Sequence, residues 1–314
     1  MKVYFTFEPR ENLKADLISE FPQIDFVFDT KLNELHLSDC EVLVTYGEDL
    51  TEERIELAQK VKWIFVASAG LEKMPAKAIV SRGIYVSNVR GIHKKPMTES
   101  ILAHILSLKR GLPQIYKQKE QKVWSKKMQL TELNGSTAVI LGPGAIGQEI
   151  GRILQAFGVY TIGCNTNGES VSYMNETERL ANLDKVISRG DIIISMLPST
   201  EDTRGLLKSE HFKLMKESAI FMNFGRGDLV SEKVLVEALK NKEITHAVLD
   251  VYEMEPLSES SVLWELDNVT LSPHISSHSS RYVERSLEIF KPSLREWIKG
   301  SRKLENEVDL LRGY

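Results

Sequence analysis

Three side chains in the second half of the chain could do chemistry together. Arg226 lies in Asn223-Phe224-Gly225-Arg226-Gly227, Glu255 in Asp250-Val251-Tyr252-Glu253-Met254-Glu255-Pro256, and His274 in Ser272-Pro273-His274-Ile275. Each follows a short apolar run, as a residue at the end of a buried strand does. A guanidinium grips a carboxylate through a two-point fork, and an imidazole moves a proton near neutral pH. A carboxylate set against that imidazole favours its protonated form. Plainer readings exist: Arg226 as an exposed turn residue, and Glu255 as the start of a loop before Pro256, with Glu253 beside it as a second acid. The glycines flanking Arg226 argue for backbone approaching a ligand closely. A histidine after a proline at a strand end is better placed for function than for a core. His246 and His278 read as structural or solvent-facing, and His36, His93, His104 and His211 as surface or helix-packing residues.

A second candidate is the stretch Leu141-Gly142-Pro143-Gly144-Ala145-Ile146-Gly147. An apolar run, Ala138 to Leu141, precedes it, and a helical pattern with Ile150, Ile153 and Leu154 on one side follows it as far as Gly158. Strand, glycine turn and helix in this order form the dinucleotide fingerprint. Gly142 permits the tight turn, Gly144 lets backbone approach a pyrophosphate, and Gly147 lets the helix lie close on the strand. Ala145 and Ile146 open the helix, whose unpaired N–H groups suit an anion. Ligands of such sheets bind at the carboxyl ends of the strands. Asn165 and Thr166 end the next strand, Pro198 the third, Gly225-Arg226-Gly227 the fourth, Asp250 the fifth and Pro273-His274 the sixth.

The elements that must carry these residues alternate between apolar runs and helical patterns, which argues for parallel α/β organisation. In the first hundred residues the pattern predicts strands at 2–6, 24–28, 42–45, 63–66 and 85–87, with helices over 13–21, 51–58 and 75–82. From 136 onward it predicts six strands, at 138–141, 160–164, 192–196, 219–223, 247–251 and 269–271, with helices over 180–188, 208–214 and 232–239. Between the two sets, Met97 to Lys109 is apolar around most of its circumference, which fits a helix lying between domains or subunits. Gln114 to Lys127 is polar, with Trp124 as its main apolar anchor, and reads as a connecting arm. The amphipathic stretch 279–299, interrupted by Pro292, is expected to fold back on the first set of strands.

A chain of 314 residues with 42% hydrophobic content has material for about two domains. Its 40 basic and 44 acidic residues, net −4, are interspersed, which speaks against a nucleic-acid-binding surface. The two cysteines, Cys40 and Cys164, have no metal or redox spacing. No run is long enough to span a bilayer, and Val3-Tyr4-Phe5 reads as a strand rather than a leader, so the expectation is a soluble, cytoplasmic protein.

The segments Leu141–Gly147, Asn223–Gly227, Leu249–Leu257 and Ser272–Ile275 closely resemble the D-isomer-specific 2-hydroxyacid dehydrogenase family. The resemblance extends to Val86-Ser87-Asn88 with Gly91, Glu99, Leu263-Trp264, and Glu307-Val308-Asp309 through Arg312-Gly313-Tyr314. It implies an α/β fold of two Rossmann-like domains: a doubly wound parallel sheet binding the dinucleotide, over 97–279 with an inter-domain helix and a dimer arm, and a smaller flavodoxin-like substrate domain over 1–96 and 280–314. It implies Arg226 orienting the substrate carboxylate, His274 as general acid/base and Glu255 rather than Glu253 as its partner. It also implies a substrate loop at Ser68, Ala69 and Gly70, and it adds Leu197, Thr203, Phe224, Gly225, Asp250 and Ser277 to the cofactor-binding set of Gly142, Gly144, Ala145, Ile146, Gly147, Asn165, Thr166 and Pro198. No metal is implied. The partner would be a small 2-oxo or 2-hydroxy acid, with no nucleic acid and no membrane, and the chain would be a homodimer.

Two departures stand out. NAD-preferring members carry an acid where this chain has Asn165, and NADP-preferring relatives often carry arginine where it has Thr166. The choice between NAD and NADP therefore stays open, tilted toward acceptance of NADP because no acid repels a 2′-phosphate. Lys94-Lys95 also stands near the family's substrate-side hinge. The activity implied is hydride transfer between NAD(P)H and a small 2-oxo acid to give the D-2-hydroxy acid, with closure of the two domains excluding water. The rival is a dinucleotide-sensing regulatory or corepressor-like protein on the same scaffold. Phosphoglycerate, glyoxylate, hydroxypyruvate, pyruvate and branched 2-oxo acids remain as substrates, and the lack of an added regulatory domain counts against a feedback-controlled biosynthetic enzyme.

Overall fold

In a computed structural model, residues 1–68, 71 and 74–310 are described. The chain divides into two compact units, Met1–Ile92 with Ser279–Tyr314, and His93–His278.

The first unit runs β1 (Lys2–Phe5), α1 (Glu11–Glu20), β2 (Asp25–Phe28), α2 (Glu34–Asp39), β3 (Val42–Thr45), α3 (Glu52–Leu57), β4 (Trp63–Val66), α4 (Ala76–Ser81) and β5 (Tyr85–Asn88), and is completed by α11 (Tyr282–Ile298). Its strands are all parallel in the order β2-β1-β3-β4-β5. This is the flavodoxin-like order, in which the direction of winding reverses between β1 and β3. The central strands β3 and β4 are buried along their whole length, which is why they read as unbroken apolar runs rather than alternating ones. One face of the sheet is covered by α11: Phe290 stacks on Trp63 at 5.3 Å between centroids and meets Phe5 edge-on at 5.7 Å. Trp297 and Leu294 extend the same cluster. The short helix α2 was not legible as a periodic pattern; Asn33 caps it, its side chain accepting from the Leu35 N–H at 3.0 Å.

The second unit comprises α5 (Lys94–Lys109), α6 (Leu112–Glu120), β6 (Thr137–Leu141), α7 (Ala145–Ala156), β7 (Tyr160–Asn165), β8 (Glu176–Arg179), α8 (Leu183–Ile187), β9 (Ile192–Ser195), α9 (Ser209–Leu214), β10 (Ile220–Asn223), α10 (Glu232–Lys240), β11 (His246–Leu249) and β12 (Val269–Leu271). The sheet order is β12-β11-β10-β9-β6-β7-β8, all parallel. It is doubly wound, with the switch between β6 and β9. It has seven strands where the pattern predicted six. The addition is β8, Glu176-Thr177-Glu178-Arg179, a partly exposed edge strand with no apolar residue to betray it. Helix α5 begins three residues before the predicted Met97, and Pro96 falls in its first turn, where a missing N–H costs nothing. The expected arm holds a helix, α6, and Trp124 beyond it anchors nothing within the chain, being 93% exposed. No helix among the described residues is long and apolar enough to cross a membrane.

His246, at the start of β11, bonds the Thr270 hydroxyl at 2.9 Å, and burial pushes its pKa from 6.5 down to about 4. The unfolded chain therefore takes up this proton first, so stability present above about pH 6.5 is lost as pH falls toward 4. The loss is on the order of 1–3 kcal/mol. His246→Gln is expected to flatten thermal midpoint against pH over this window. An unchanged slope would mean that other groups set the acid limb.

Candidate active site

The predicted glycine turn lies between β6 and α7. Gly142 has φ +82° and donates to the Cys164 carbonyl at 2.9 Å, tying the turn to the neighbouring strand. A Cβ on Gly147 would come within 2.9 Å of the Gly142 oxygen and 3.1 Å of Ile140, so only glycine lets α7 start this close to β6. At Gly144 the same test finds open space, and no side chain caps α7. The first N–H groups of α7, at Ala145, Ile146 and Gly147, thus have no capping side chain as acceptor, and the macrodipole adds positive potential there. This fits a dinucleotide pyrophosphate.

Next along the edge, Asn165 is spent inside its own loop: its carbonyl oxygen accepts from Gly168 N–H at 2.6 Å and its amide donates to the Glu169 carbonyl at 2.9 Å. Thr166 beside it is exposed. After β9, Leu197 is buried and Pro198 exposed. Thr203 is buried too, its hydroxyl donating to the Pro198 carbonyl at 2.6 Å, so it shapes the loop.

Arg226 follows β10. Asn223 closes the turn, donating to the Arg226 carbonyl at 3.0 Å and accepting from Gly225 N–H at 3.2 Å. Phe224 is buried and the Arg226 side chain is exposed. The flanking glycines were expected to let backbone approach a ligand closely, and the structure shows what a side chain would meet at each. A Cβ on Gly225 would fall 2.4 Å from the Leu197 oxygen, and one on Gly227 would fall 1.8 Å from the Tyr252 oxygen. Their bareness admits the neighbouring strand-end backbones, and Arg226 is left projecting from a turn clamped on both sides.

His274 and Glu255 come from the ends of β12 and β11. His274 Nδ1 and Glu255 Oε2 are 2.8 Å apart, and the other Glu255 oxygen accepts from Tyr252 N–H at 3.1 Å. Glu253 faces elsewhere, accepting from Glu232 N–H at 3.1 Å at the start of α10. His274 has φ +54°, a conformation non-glycine residues hold only when their surroundings enforce it. Two residues do the enforcing. Tyr252 donates from its phenol to the carbonyls of Ser272 (2.8 Å) and Leu249 (3.2 Å), and burial pushes that phenol up to about 12, so it remains a donor at neutral pH. Asp250 is 1% exposed, and its carboxylate accepts from Ser272 Oγ (2.7 Å), Ile275 N–H (3.0 Å) and both the N–H and hydroxyl of Ser276. Asp250, expected among the cofactor contacts, thus holds the 272–276 loop through both oxygens. Ser277 follows this loop, half-buried. Tyr252 stood in the motif without a role, and only its position between two strand ends reveals one. Glu255 and His274 also line a cavity of about 420 Å3 with Tyr252, Leu257 and Trp264.

Because β10, β11 and β12 are adjacent and parallel, Arg226, Glu255 and His274 emerge on one edge, their strands about 5 Å apart. Ser68, in the first unit, lies just past the end of β4, and Ala69 and Gly70 fall outside the described residues, as does the terminal Arg312-Gly313-Tyr314.

The profile of the D-isomer specific 2-hydroxyacid dehydrogenase NAD binding domain matches residues 102–276. A glyoxylate reductase of Thermofilum pendens is 31% identical over 268 residues, 82% of this chain and 78% of that one. A D-3-phosphoglycerate dehydrogenase of Methanocaldococcus jannaschii is 31% identical over 277 residues, 87% of this chain and 52% of its own length, so the chain spans about half of that relative. A D-isomer specific 2-hydroxyacid dehydrogenase family protein from Aeromonas salmonicida superposes with a TM-score of 0.84 at 27% identity, covering 98% of both chains. With the glycine turn, the seven-stranded sheet and the histidine–glutamate pair, these matches place the chain in the D-isomer specific 2-hydroxyacid dehydrogenase family, with a nicotinamide-dinucleotide-binding domain as its second unit.

Proposed function

We propose that the chain reduces a small 2-oxo acid to the D-2-hydroxy acid at the strand edge bearing Arg226, Glu255 and His274. The observation that carries this reading is the 2.8 Å contact between His274 Nδ1 and Glu255, which leaves Nε2 as the nitrogen available to substrate. Bound NAD(P)H supplies the hydride. Arg226 takes the substrate carboxylate in its fork and fixes which way the keto group points. His274 Nε2 donates its proton to the oxygen on which charge develops, and Glu255 holds the ring's orientation from the Nδ1 side. In the oxidative direction the same nitrogen accepts the proton. The N–H groups opening α7 hold the pyrophosphate, with Gly142 and Gly144 giving it room. Ser68, Ala69 and Gly70 are proposed as further substrate contacts, and the first unit as the substrate domain.

Either dinucleotide is accepted in this reading, because no acid stands at the end of β7. The chain is proposed to act in the cytoplasm as a homodimer, supported by the exposed apolar surface of Trp124, Val123 and Leu130.

A panel of glyoxylate, hydroxypyruvate, its 3-phosphate, pyruvate and branched 2-oxo acids with NADH and NADPH, followed at the nicotinamide absorbance, tests the proposal. Turnover of at least one acid to the D isomer is expected. Cofactor binding with no oxidation by any acid would turn the reading to a dinucleotide-sensing regulatory protein.

A further inference from the structure

The sheet brings an unexpected arginine to the adenosine end of the nucleotide site. Arg179 ends β8, and its register partner on the adjacent strand is Asn165, the last residue of β7. That strand end is where doubly wound sheets read the adenosine ribose, an acid there bonding the 2′-hydroxyl and a nearby arginine accommodating a 2′-phosphate. Arg179 is built into the loop that follows. Its Nε donates to the Asn167 carbonyl at 3.0 Å. Its stem lies where a Cβ on Gly168 would be, 2.7 Å from Arg179 Cγ, and Gly168 is itself in the left-handed region at φ +73°. Glycine is therefore demanded twice over: by the turn, and by the arginine resting on it.

The charge around this guanidinium is distributed unevenly. Arg189 and Arg152 are each held bidentately by a carboxylate, Glu176 and Glu149, and Arg204 pairs with Asp228. Arg179 has no ion pair among the described residues. The nearest acid on its own strand, Glu178, is turned to Asn182, accepting from its amide at 3.1 Å. Asn165 cannot compete for the ribose, since both ends of its amide close the loop.

Resting on the reading of α7 and β7 as a nicotinamide-dinucleotide site, we propose that Arg179 is the residue that selects NADP(H), its Nη pair binding the adenosine 2′-phosphate over the Asn165–Gly168 turn. The selecting arginine thus comes from the edge strand, thirteen residues along from Thr166, where the motif would place it. A fixed Nε bond preorganises the fork, so little rotamer freedom is lost on binding.

Direct titration of NADPH and NADH by calorimetry tests this without turnover. Wild-type protein is expected to bind NADPH more tightly than NADH, and Arg179→Ala to weaken NADPH by about ten- to hundredfold while leaving NADH unchanged. Arg179→Lys, which keeps charge and loses the fork, is expected to fall between. Raising salt should weaken NADPH binding to wild type and do so less in Arg179→Ala. Thermal midpoints of the variants establish that they are folded. An unchanged NADPH-to-NADH ratio in Arg179→Ala overturns the assignment of Arg179 and leaves the dinucleotide site standing. Failure of wild type to bind either dinucleotide overturns both.

Discussion

His274→Ala is expected to lower kcat by about 10²- to 10⁴-fold while dinucleotide affinity stays at its wild-type value. Glu255, the other titratable group in the pair, faces Nδ1 and so lies behind the ring rather than beside the substrate. The residual rate comes from positioning and from the hydride donor alone. Nor does the substitution reach the proposed pyrophosphate grip, made by backbone at Gly144–Gly147 where α7 begins. Turnover within a few-fold of wild type at saturating substrate would remove His274 from the proton-transfer role.

Arg226→Ala is expected to cost on the order of 10²- to 10³-fold in kcat/KM for any 2-oxo acid. A two-point ionic contact with the carboxylate is lost, and the keto carbon loses its fixed presentation. Arg226→Lys should recover only part of this, since an ammonium offers charge without the fork. The turn itself should persist in both variants: Asn223 closes it through backbone atoms of residues 225 and 226, and Gly225 and Gly227 seat it against residues 197 and 252. Steady-state kinetics with direct dinucleotide titration separates the outcomes. An Arg226→Ala protein with wild-type kcat/KM would mean that the substrate carboxylate is held elsewhere.

The candidate site residues were legible because parallel sheets return the chain to the same edge after every crossover. A polar residue following each apolar run must therefore emerge beside its counterparts, and Arg226, Glu255 and His274 do so on neighbouring strands. Spacing could not choose between Glu253 and Glu255. The resemblance chose Glu255, and the hydrogen bonds of the two acids follow that choice. What sequence concealed are the partners that act across strands. Asp250 and Tyr252 hold the His274 loop through residues some twenty positions away, and no local pattern announces such a bond. The glycines flanking Arg226 were read as backbone approaching a ligand, and that the Tyr252 backbone lies against Gly227 was hidden, because a bare backbone looks alike whether a ligand or another loop lies beside it. β8 was missed because an edge strand need not be apolar, and with it went Arg179. Asn165 and Thr166 alone therefore left the choice between cofactors open.

The first unit is assembled from both ends of the chain, and this fixes an order of events during synthesis. Phe290, Leu294 and Trp297 close the core around Phe5, Trp63 and Phe65, yet they leave the ribosome only after the whole of 93–278. At about 5–20 residues per second, that interval is roughly 10–40 s, during which Trp63 and its neighbours lack their helix. The second unit is contiguous and can form in that time. The earlier-made strands must wait, exposed to chaperones and to one another, for the last helix to arrive.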